Sequence, residues 1–142
     1  MIEKLIVICT GNICRSPIAE ELFRLGKPGM DVRSAGIAAL VNHPADPLAQ
    51  LVMREHGHDL SAHRAQQATP ALLMAMDLIL TMDGSHSDWI RGRFPQLLGR
   101  THKLGRWANN TDIADPYRQP KAAFEHAYAD IDRGVAEWLK RV

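Results

Sequence analysis

The sequence predicts an α/β fold in which helices cover both faces of a parallel sheet. Short apolar runs bounded by turn residues alternate along the chain with longer segments of helical periodicity. Polar residues rarely interrupt these apolar runs, which is typical of strands buried on both faces. Because helices connect successive strands, we expect the strands to pair in parallel within one central sheet.

Four strands and four helices are expected. The predicted strands are Lys4–Cys9, Met30–Ser34, Asp77–Met82 and Thr101–Leu104. The predicted helices are Pro17–Leu25, Pro47–His56, Gly84–Phe94 and Lys121–Arg141. In the last helix, apolar residues that include Trp138 recur at helical spacing and are expected in the core. Sites in such folds lie outside the carboxyl ends of the strands, where the turn after the first strand is located.

Length and charge exclude several classes of protein. The chain has 142 residues, which suits a single domain spanning 1–142. Its 17 Lys and Arg against 16 Asp and Glu give a net charge of +1, which is no footprint for nucleic acid. The sequence shows no signal peptide and no apolar run of membrane-spanning length, so we expect a cytoplasmic protein. Cys9 and Cys14 form no disulfide framework, and in a reducing compartment such a pair is more often catalytic or redox-active.

The most informative segment is the turn CTGNICRS, at 9–16. A turn from a strand into a helix N-terminus presents unpaired backbone N–H groups and positive dipole charge, which together bind anions. Gly11 and Asn12 tolerate positive φ, so the backbone can turn its amides inward. Pro17 suits the first helical position. Arg15 adds a planar guanidinium that can bind two oxygens of a phosphate-like anion.

Cys9 lies at the start of this predicted anion site. Positive potential stabilises a thiolate, and the Ser16 hydroxyl is placed to donate a hydrogen bond to the sulfur. The amides and Arg15 point at the position where charge gathers in phosphoryl transfer. The turn therefore predicts covalent phosphoryl transfer with Cys9 as nucleophile.

The turn also resembles the C-x5-R-[ST] loop of the low-molecular-weight protein tyrosine phosphatases. The similarity extends to Ser34-Ala35-Gly36, to the DLILTM strand and to the late DPY. It implies a four-stranded parallel sheet of order 2-1-3-4 and phosphotyrosine hydrolysis without cofactor or metal. It also implies a phosphate site made of seven consecutive residues: Thr10, Gly11, Asn12, Ile13, Cys14, Arg15 and Ser16.

A tyrosine leaving group needs a proton donor, and two Asp-Pro pairs compete for that role. Asp46-Pro47 precedes a helical run at once, so Asp46 is interpreted as a helix N-cap. Asp115-Pro116 is followed by a second proline that delays the last helix, which places Asp115 on a loop. The resemblance implies that Asp115 is the general acid and that Tyr117 is the aromatic wall of the substrate pocket.

The resemblance assigns further roles. Asn12 and Ser34 match a family pair that, with Ser16, holds the loop in its strained shape. Cys14 matches a second loop cysteine that bonds reversibly to the nucleophile on oxidation, although a small buried residue is the plainer interpretation. Leu40 matches a pocket-edge position where an aliphatic residue is similar to bacterial members associated with exopolysaccharide.

Other polar residues have simpler interpretations. His56, His58 and His63 lack a zinc-like pattern and are expected to be solvated or capping. Asp83 ends a strand and is within reach of the site, but capping of a loop is the favoured interpretation. Trp89 and Trp107 cannot be placed from the sequence.

Three alternatives to a tyrosine phosphatase differ from it in identifiable residues. Thioredoxin-linked arsenate reductases need further cysteines, whereas both cysteines of this chain lie in the loop. Protein-arginine phosphatases have a similar loop but typically carry threonine in place of Ile13. A non-catalytic phosphate-binding redox switch has no use for Asp115. The expected partner is a phosphotyrosine protein, such as an autophosphorylating bacterial tyrosine kinase of polysaccharide export, and the chain is expected to be a monomer or a weak dimer.

Overall fold

One parallel sheet of four strands forms the centre of the computed structural model, which describes residues 1–142. The strands are β1 (Lys4–Cys9), β2 (Asp31–Gly36), β3 (Leu78–Thr81) and β4 (Thr101–Lys103). Their order is β2-β1-β3-β4, and each neighbouring pair is parallel. The predicted fold class and strand order are confirmed, although β2 continues to Gly36, two residues beyond its predicted end.

Five α-helices and one 3-10 helix accompany the strands, and the last α-helix follows the final strand. The α-helices are α1 (Arg15–Gly26), α2 (Pro47–Glu55), α3 (Pro70–Met74), α4 (Gly84–Arg93) and α5 (Lys121–Leu139), and the 3-10 helix is Pro95–Arg100. Neither α3 nor the 3-10 helix was predicted, because neither is long enough to show helical periodicity. A local signal for α3 was present, since Thr69 caps it and Pro70 occupies its first turn.

The sheet separates two apolar clusters because successive side chains of a strand point to opposite faces. Leu5 and Val7 of β1 belong to the larger cluster, which includes the apolar faces of α1 and α5. Ile6 and Ile8 belong to the smaller cluster with residues of α3, α4 and the 3-10 helix. β1 is therefore buried on both faces, and its last residue, Cys9, is held rigidly at the carboxyl edge of the sheet.

The three tryptophans pack on these layers. Trp138 is buried as expected, and its indole N–H donates to the carbonyl of Leu104 at 3.0 Å. Trp107 contacts the edge of Trp138, with ring centroids 5.6 Å apart. Trp89 packs edge-on against Phe94 at 5.9 Å. No helix of the structure combines the length and apolar character needed to cross a membrane.

Candidate active site

A cavity of about 170 Å³ lies at the carboxyl end of β1. Its walls bring together most of the predicted site residues: Cys9, Thr10, Gly11, Ile13, Cys14, Arg15, Leu40, Asp115 and Tyr117. Ala38, which the sequence analysis did not single out, completes the lining. Leu40 and Tyr117 are more than a third exposed and form part of the rim. The cavity thus has a polar floor at the loop and a largely apolar mouth.

The loop between β1 and α1 is anchored by its carbonyl oxygens. The carbonyls of residues 9, 10, 11 and 13 accept hydrogen bonds from the backbone N–H groups of Ile37, Ala38, Leu40 and Asp46, at 2.8–3.1 Å. The backbone N–H groups of residues 10–14, in contrast, donate to no protein atom. A run of free amides at a helix N-terminus is a binding site for an anion.

One left-handed residue produces this arrangement. Asn12 has a φ of 59°, whereas Gly11 is not in the left-handed region, so the expectation that Gly11 uses its conformational freedom is wrong. Asn12 can adopt this conformation because its side chain is fully buried and bonded on both ends. The glycine that the loop does require is Gly36, whose added Cβ would overlap the Thr10 carbonyl and lie 3.0 Å from the Asn12 nitrogen.

A chain of hydrogen bonds leads from the Cys9 sulfur into the protein. The Asn12 amide donates to Ser16 Oγ at 2.7 Å and to Ser34 Oγ at 3.0 Å. Because Ser16 Oγ already accepts this bond, its own proton is available to Cys9 Sγ, which lies 2.9 Å away. The predicted grouping of Asn12, Ser16 and Ser34 is present, and Ser16 stabilises negative charge on the sulfur.

Three residues that the sequence analysis missed extend this network. Ser34 donates to Glu20 Oε1 at 3.0 Å, and the Gln66 backbone N–H donates to Asn12 Oδ1 at 2.9 Å. His63 Nε2 donates to the Asn12 carbonyl at 2.6 Å. The expectation that His63 is solvated or capping is therefore wrong, since its side chain is only 8% exposed.

Arg15 is the first residue of α1 and is almost completely buried. Its Nη1 donates to Asp83 Oδ2 at 2.8 Å and to the Ile113 carbonyl at 2.7 Å. Asp83 also caps α4 as expected. Its contact with Arg15 brings it to the site as well, which was the less favoured expectation. Pro17 is the third residue of α1, not the first, and is tolerated there because the first-turn N–H groups need no helical partner.

The electrostatics of Asp83 suit its ion pair with Arg15. Burial opposes ionisation of its carboxyl, but hydrogen bonds from Ser85 and Arg15 outweigh burial and lower its pKa to about 2. Asp83 is therefore an anion at neutral pH. It holds the guanidinium in place on one side and leaves the other nitrogen toward the cavity.

His86 connects the Asp83 turn to the loop. Its Nδ1 accepts from the Asp83 backbone N–H at 3.2 Å, which leaves Nε2 to donate to Thr10 Oγ1 at 2.9 Å. Burial lowers the pKa of His86 to about 4, although Asp83 opposes this effect. His86 is consequently neutral at physiological pH and has both ring nitrogens satisfied.

Asp115 lies on a loop at the cavity, as predicted. Its Oδ2 is 3.7 Å from Arg15 Nη2, and its Oδ1 accepts from the Tyr117 backbone N–H at 3.0 Å. The carboxyl is half exposed, so it can exchange protons with solvent. Asp46, the competing aspartate, accepts from the Leu48 N–H at 2.8 Å and is an N-cap of α2 as predicted.

Cys14 and the remaining histidines have distinct environments. Burial, followed by the charge of Asp46, raises the pKa of the Cys14 thiol, so this group remains protonated next to Cys9. His56 stacks on Tyr128 with ring centroids 3.9 Å apart, and His58 is partly exposed on the loop that follows α2. No group of three or more His, Cys, Asp or Glu side chains is arranged to bind a metal ion.

Known proteins are similar to this chain over nearly its whole length. The family model described as "Low molecular weight phosphotyrosine protein phosphatase" matches residues 4–142. A relative from Ralstonia nicotianae, "Probable low molecular weight protein-tyrosine-phosphatase EpsP", is 50% identical over 142 residues, covering 100% of this chain and 97% of the relative. The solved structure of Vibrio vulnificus Wzb in complex with benzylphosphonate has a TM-score of 0.96 at 41% identity and covers 100% of both chains.

A structure with a different substrate is also similar. The YwlE arginine phosphatase from Geobacillus stearothermophilus has a TM-score of 0.90 at 30% identity, covering 97% of this chain and 91% of the other. The fold therefore does not by itself separate phosphotyrosine from phosphoarginine. The family model and the more similar relative are both described as phosphatases of phosphotyrosine proteins, and the chain belongs to the low molecular weight phosphotyrosine protein phosphatases.

Proposed function

We propose that the protein hydrolyses phosphotyrosine in proteins through a cysteinyl-phosphate on Cys9. The observation that carries this proposal is the run of free backbone amides at 10–14, in the loop that joins Cys9 to the buried Arg15. A phosphoryl group that binds these donors places its phosphorus in front of the thiolate. The chemistry needs no metal, because the amides and the guanidinium neutralise the oxygens.

The first step transfers the phosphoryl group to the enzyme. The Cys9 thiolate attacks phosphorus, a sulfur–phosphorus bond forms and the bond to the phenolic oxygen breaks. The electron pair of that bond goes to the phenolic oxygen, which takes a proton from the Asp115 carboxyl. Ser16 stabilises the thiolate before the attack, and Arg15 stabilises the charge on the phosphoryl oxygens during it.

The second step returns the enzyme to its starting state. The Asp115 carboxylate now accepts a proton from water, whose oxygen attacks phosphorus. The sulfur–phosphorus bond breaks, its electron pair returns to Cys9, and inorganic phosphate leaves. The half-exposed position of Asp115 fits this role because the residue must contact first the leaving group and then water.

The apolar mouth of the cavity favours an aromatic leaving group. Ile13, Leu40 and Tyr117 line it, and a phenyl ring inserted between them buries apolar area. A guanidinium leaving group would gain less there, which supports phosphotyrosine over phosphoarginine. Loop support by Asn12, Ser16 and Ser34 completes the proposed site.

The biological partner is also a proposal. By its similarity to bacterial phosphatases, the protein is proposed to act on an autophosphorylated tyrosine kinase of polysaccharide export. It acts as one domain spanning 1–142, as a monomer or weak dimer. On oxidation, Cys14 is proposed to form a disulfide with Cys9 and so to protect the nucleophile.

Phosphate release from a phosphotyrosine peptide and a phosphoarginine peptide tests the proposal, with metal chelated. Wild type is expected to turn over phosphotyrosine, and Cys9→Ser is expected to be inactive. Rapid quenching followed by intact-mass measurement should detect one added phosphoryl group in wild type and none in Cys9→Ser. Turnover in Cys9→Ser, or a preference for phosphoarginine, would contradict the proposal.

A further inference from the structure

The net charge of the chain is near zero, but positive charge is concentrated in one segment. Residues 84–110 contain five cationic side chains and a single carboxylate, that of Asp88, for a formal charge of +4. The whole chain has a charge of +1, so the other 115 residues carry −3. The basic segment comprises α4, the 3-10 helix and β4, at the β4 edge of the sheet.

A second, larger cavity opens within this segment. It has a volume of about 630 Å³ and lies between α4, with Ser87 and Arg91, and the β4 side, with Lys103 and Arg106. Only one of its ten lining residues is hydrophobic, in contrast to six of ten in the catalytic cavity. We call it the basic cleft. Its lining carries three cations and one carboxylate, and Asp112 pairs with Lys103 from outside the lining, so one net positive charge remains.

Arg106 is the cation best prepared for an anion. It forms no ion pair with any carboxylate of the protein. Its Nη1 contacts His102 Nδ1 at 2.7 Å, and its guanidinium stacks on Trp107 at 4.7 Å from the ring centroid. Burial and the Arg106 charge lower the pKa of His102, so the ring is a neutral acceptor. The guanidinium is thus oriented without being neutralised.

The other two cations are paired with carboxylates of the protein. Arg91 pairs with Asp88 at 2.7 Å within α4, and both side chains are more than half exposed. Such a solvated pair is weak and does not prevent Arg91 from binding another anion. Lys103 pairs at 2.8 Å with Asp112, which compensates part of its charge, so Arg91 and Arg106 are the main cations of the cleft.

The basic cleft adjoins the catalytic cavity at the carboxyl edge of the sheet. Gly84, at one end of the cleft, follows Asp83, whose carboxylate binds Arg15. Asp112, the partner of Lys103, precedes Ile113, whose carbonyl also binds Arg15. Asp83 and Ile113 thus link Arg15 of the catalytic cavity to segments that lead into the cleft, and a peptide with one residue in the catalytic cavity is expected to extend across them.

We propose that the basic cleft binds a segment rich in Asp and Glu on the same protein substrate whose phosphotyrosine occupies the catalytic cavity. The inference rests on the proposed function and adds a substrate preference to it. Carboxylates suit the bidentate guanidinium of Arg106 and the flanking charges of Arg91 and Lys103. The cleft acts on encounter and binding of the substrate and takes no part in the chemical step.

Kinetics with three substrates tests this inference: a phosphotyrosine peptide with a run of Asp and Glu, a length-matched neutral phosphotyrosine peptide, and phenyl phosphate. The double variant Arg91→Ala with Arg106→Ala removes two positive charges from the cleft. Its control is Arg33→Ala with Arg133→Ala, which removes the same charge from β2 and α5. The cleft variant should lose about three- to tenfold in kcat/KM for the acidic peptide alone, through KM, and added salt should abolish the difference.

Several outcomes would overturn the inference. One is equal loss in both double variants, because net charge alone would then explain it. Another is equal kcat/KM of wild type for the acidic and neutral peptides. Fluorescence anisotropy with the unphosphorylated acidic peptide reports binding independently of turnover, so the inference is separable from a failure of the proposed chemistry. Tighter cleft-dependent binding of an oligonucleotide than of that peptide would also overturn it.

Discussion

Gly36→Ala is expected to impair the active site although residue 36 is not part of the cavity lining. Gly36 is buried, ends β2 and pairs with Cys9 in the sheet. A Cβ at this position would overlap the Thr10 carbonyl and approach Asn12 N to 3.0 Å and Gly11 C to 3.1 Å. All three neighbours are backbone atoms of the phosphate loop, so no flexible side chain can move aside.

The size of the effect follows from this geometry. The overlap can be relieved only by displacing the loop or β2, because both are held by hydrogen bonds. Overpacking of this kind costs about 1–3 kcal/mol of unfolding free energy. A displacement of about 1 Å at a catalytic loop lowers kcat by about 100-fold, because amides and nucleophile no longer align with phosphorus.

The assay compares Gly36→Ala with Gly92→Ala. Gly92 lies inside α4, and a Cβ added there would meet no atom within 4 Å, so alanine at this position should stabilise the protein by about 0.5–1 kcal/mol and leave kcat unchanged. Urea unfolding gives the stability and phenyl phosphate hydrolysis gives kcat. Wild-type kcat in a folded Gly36→Ala variant would refute the argument that the loop is packed against this glycine.

Two further predictions concern protonation. Asp115→Asn should lower kcat for phosphotyrosine about 10²- to 10⁴-fold. The control Asp46→Asn, at the other Asp-Pro pair, should leave kcat near wild type because asparagine also caps a helix. Equal kcat values in the two variants would exclude Asp115 as the acid. His86 has a folded pKa of about 4, below its unfolded value of 6.5, so as pH falls from 7.5 to 5 only the unfolded state gains the proton. Unfolding free energy should therefore drop by about 2 kcal/mol more in wild type than in His86→Gln, and parallel pH profiles in urea titrations would contradict this.

Local spacing determines the chemistry that the sequence predicts. Cys9 and Arg15 lie in one continuous turn, and the residue types in that turn predict an anion site without knowledge of the fold. Asp46 is predictable as a cap for a similar reason, since its partner is two residues away. Periodicity and turn residues locate the four strands, and these establish the parallel sheet.

Interactions between distant parts of the chain are not predictable in this way. His63 contacts Asn12 across 51 positions, Asp83 contacts Arg15 across 68, and His86 contacts Thr10 across 76. Histidine and aspartate occur on surfaces far more often than in buried networks, so residue type alone favours the solvated or capping interpretation.

The sequence by itself determined the class of fold and the turn that holds Cys9 and Arg15 together, because each depends on neighbours along the chain. Only the tertiary structure decided how the loop is held: Asn12 takes the left-handed conformation instead of Gly11, and Gly36 gives the loop its space. The physical reason is that buried hydrogen bonds and close backbone packing depend on which strands and loops meet in space. Those contacts form only in the completed sheet and cannot be predicted from one segment.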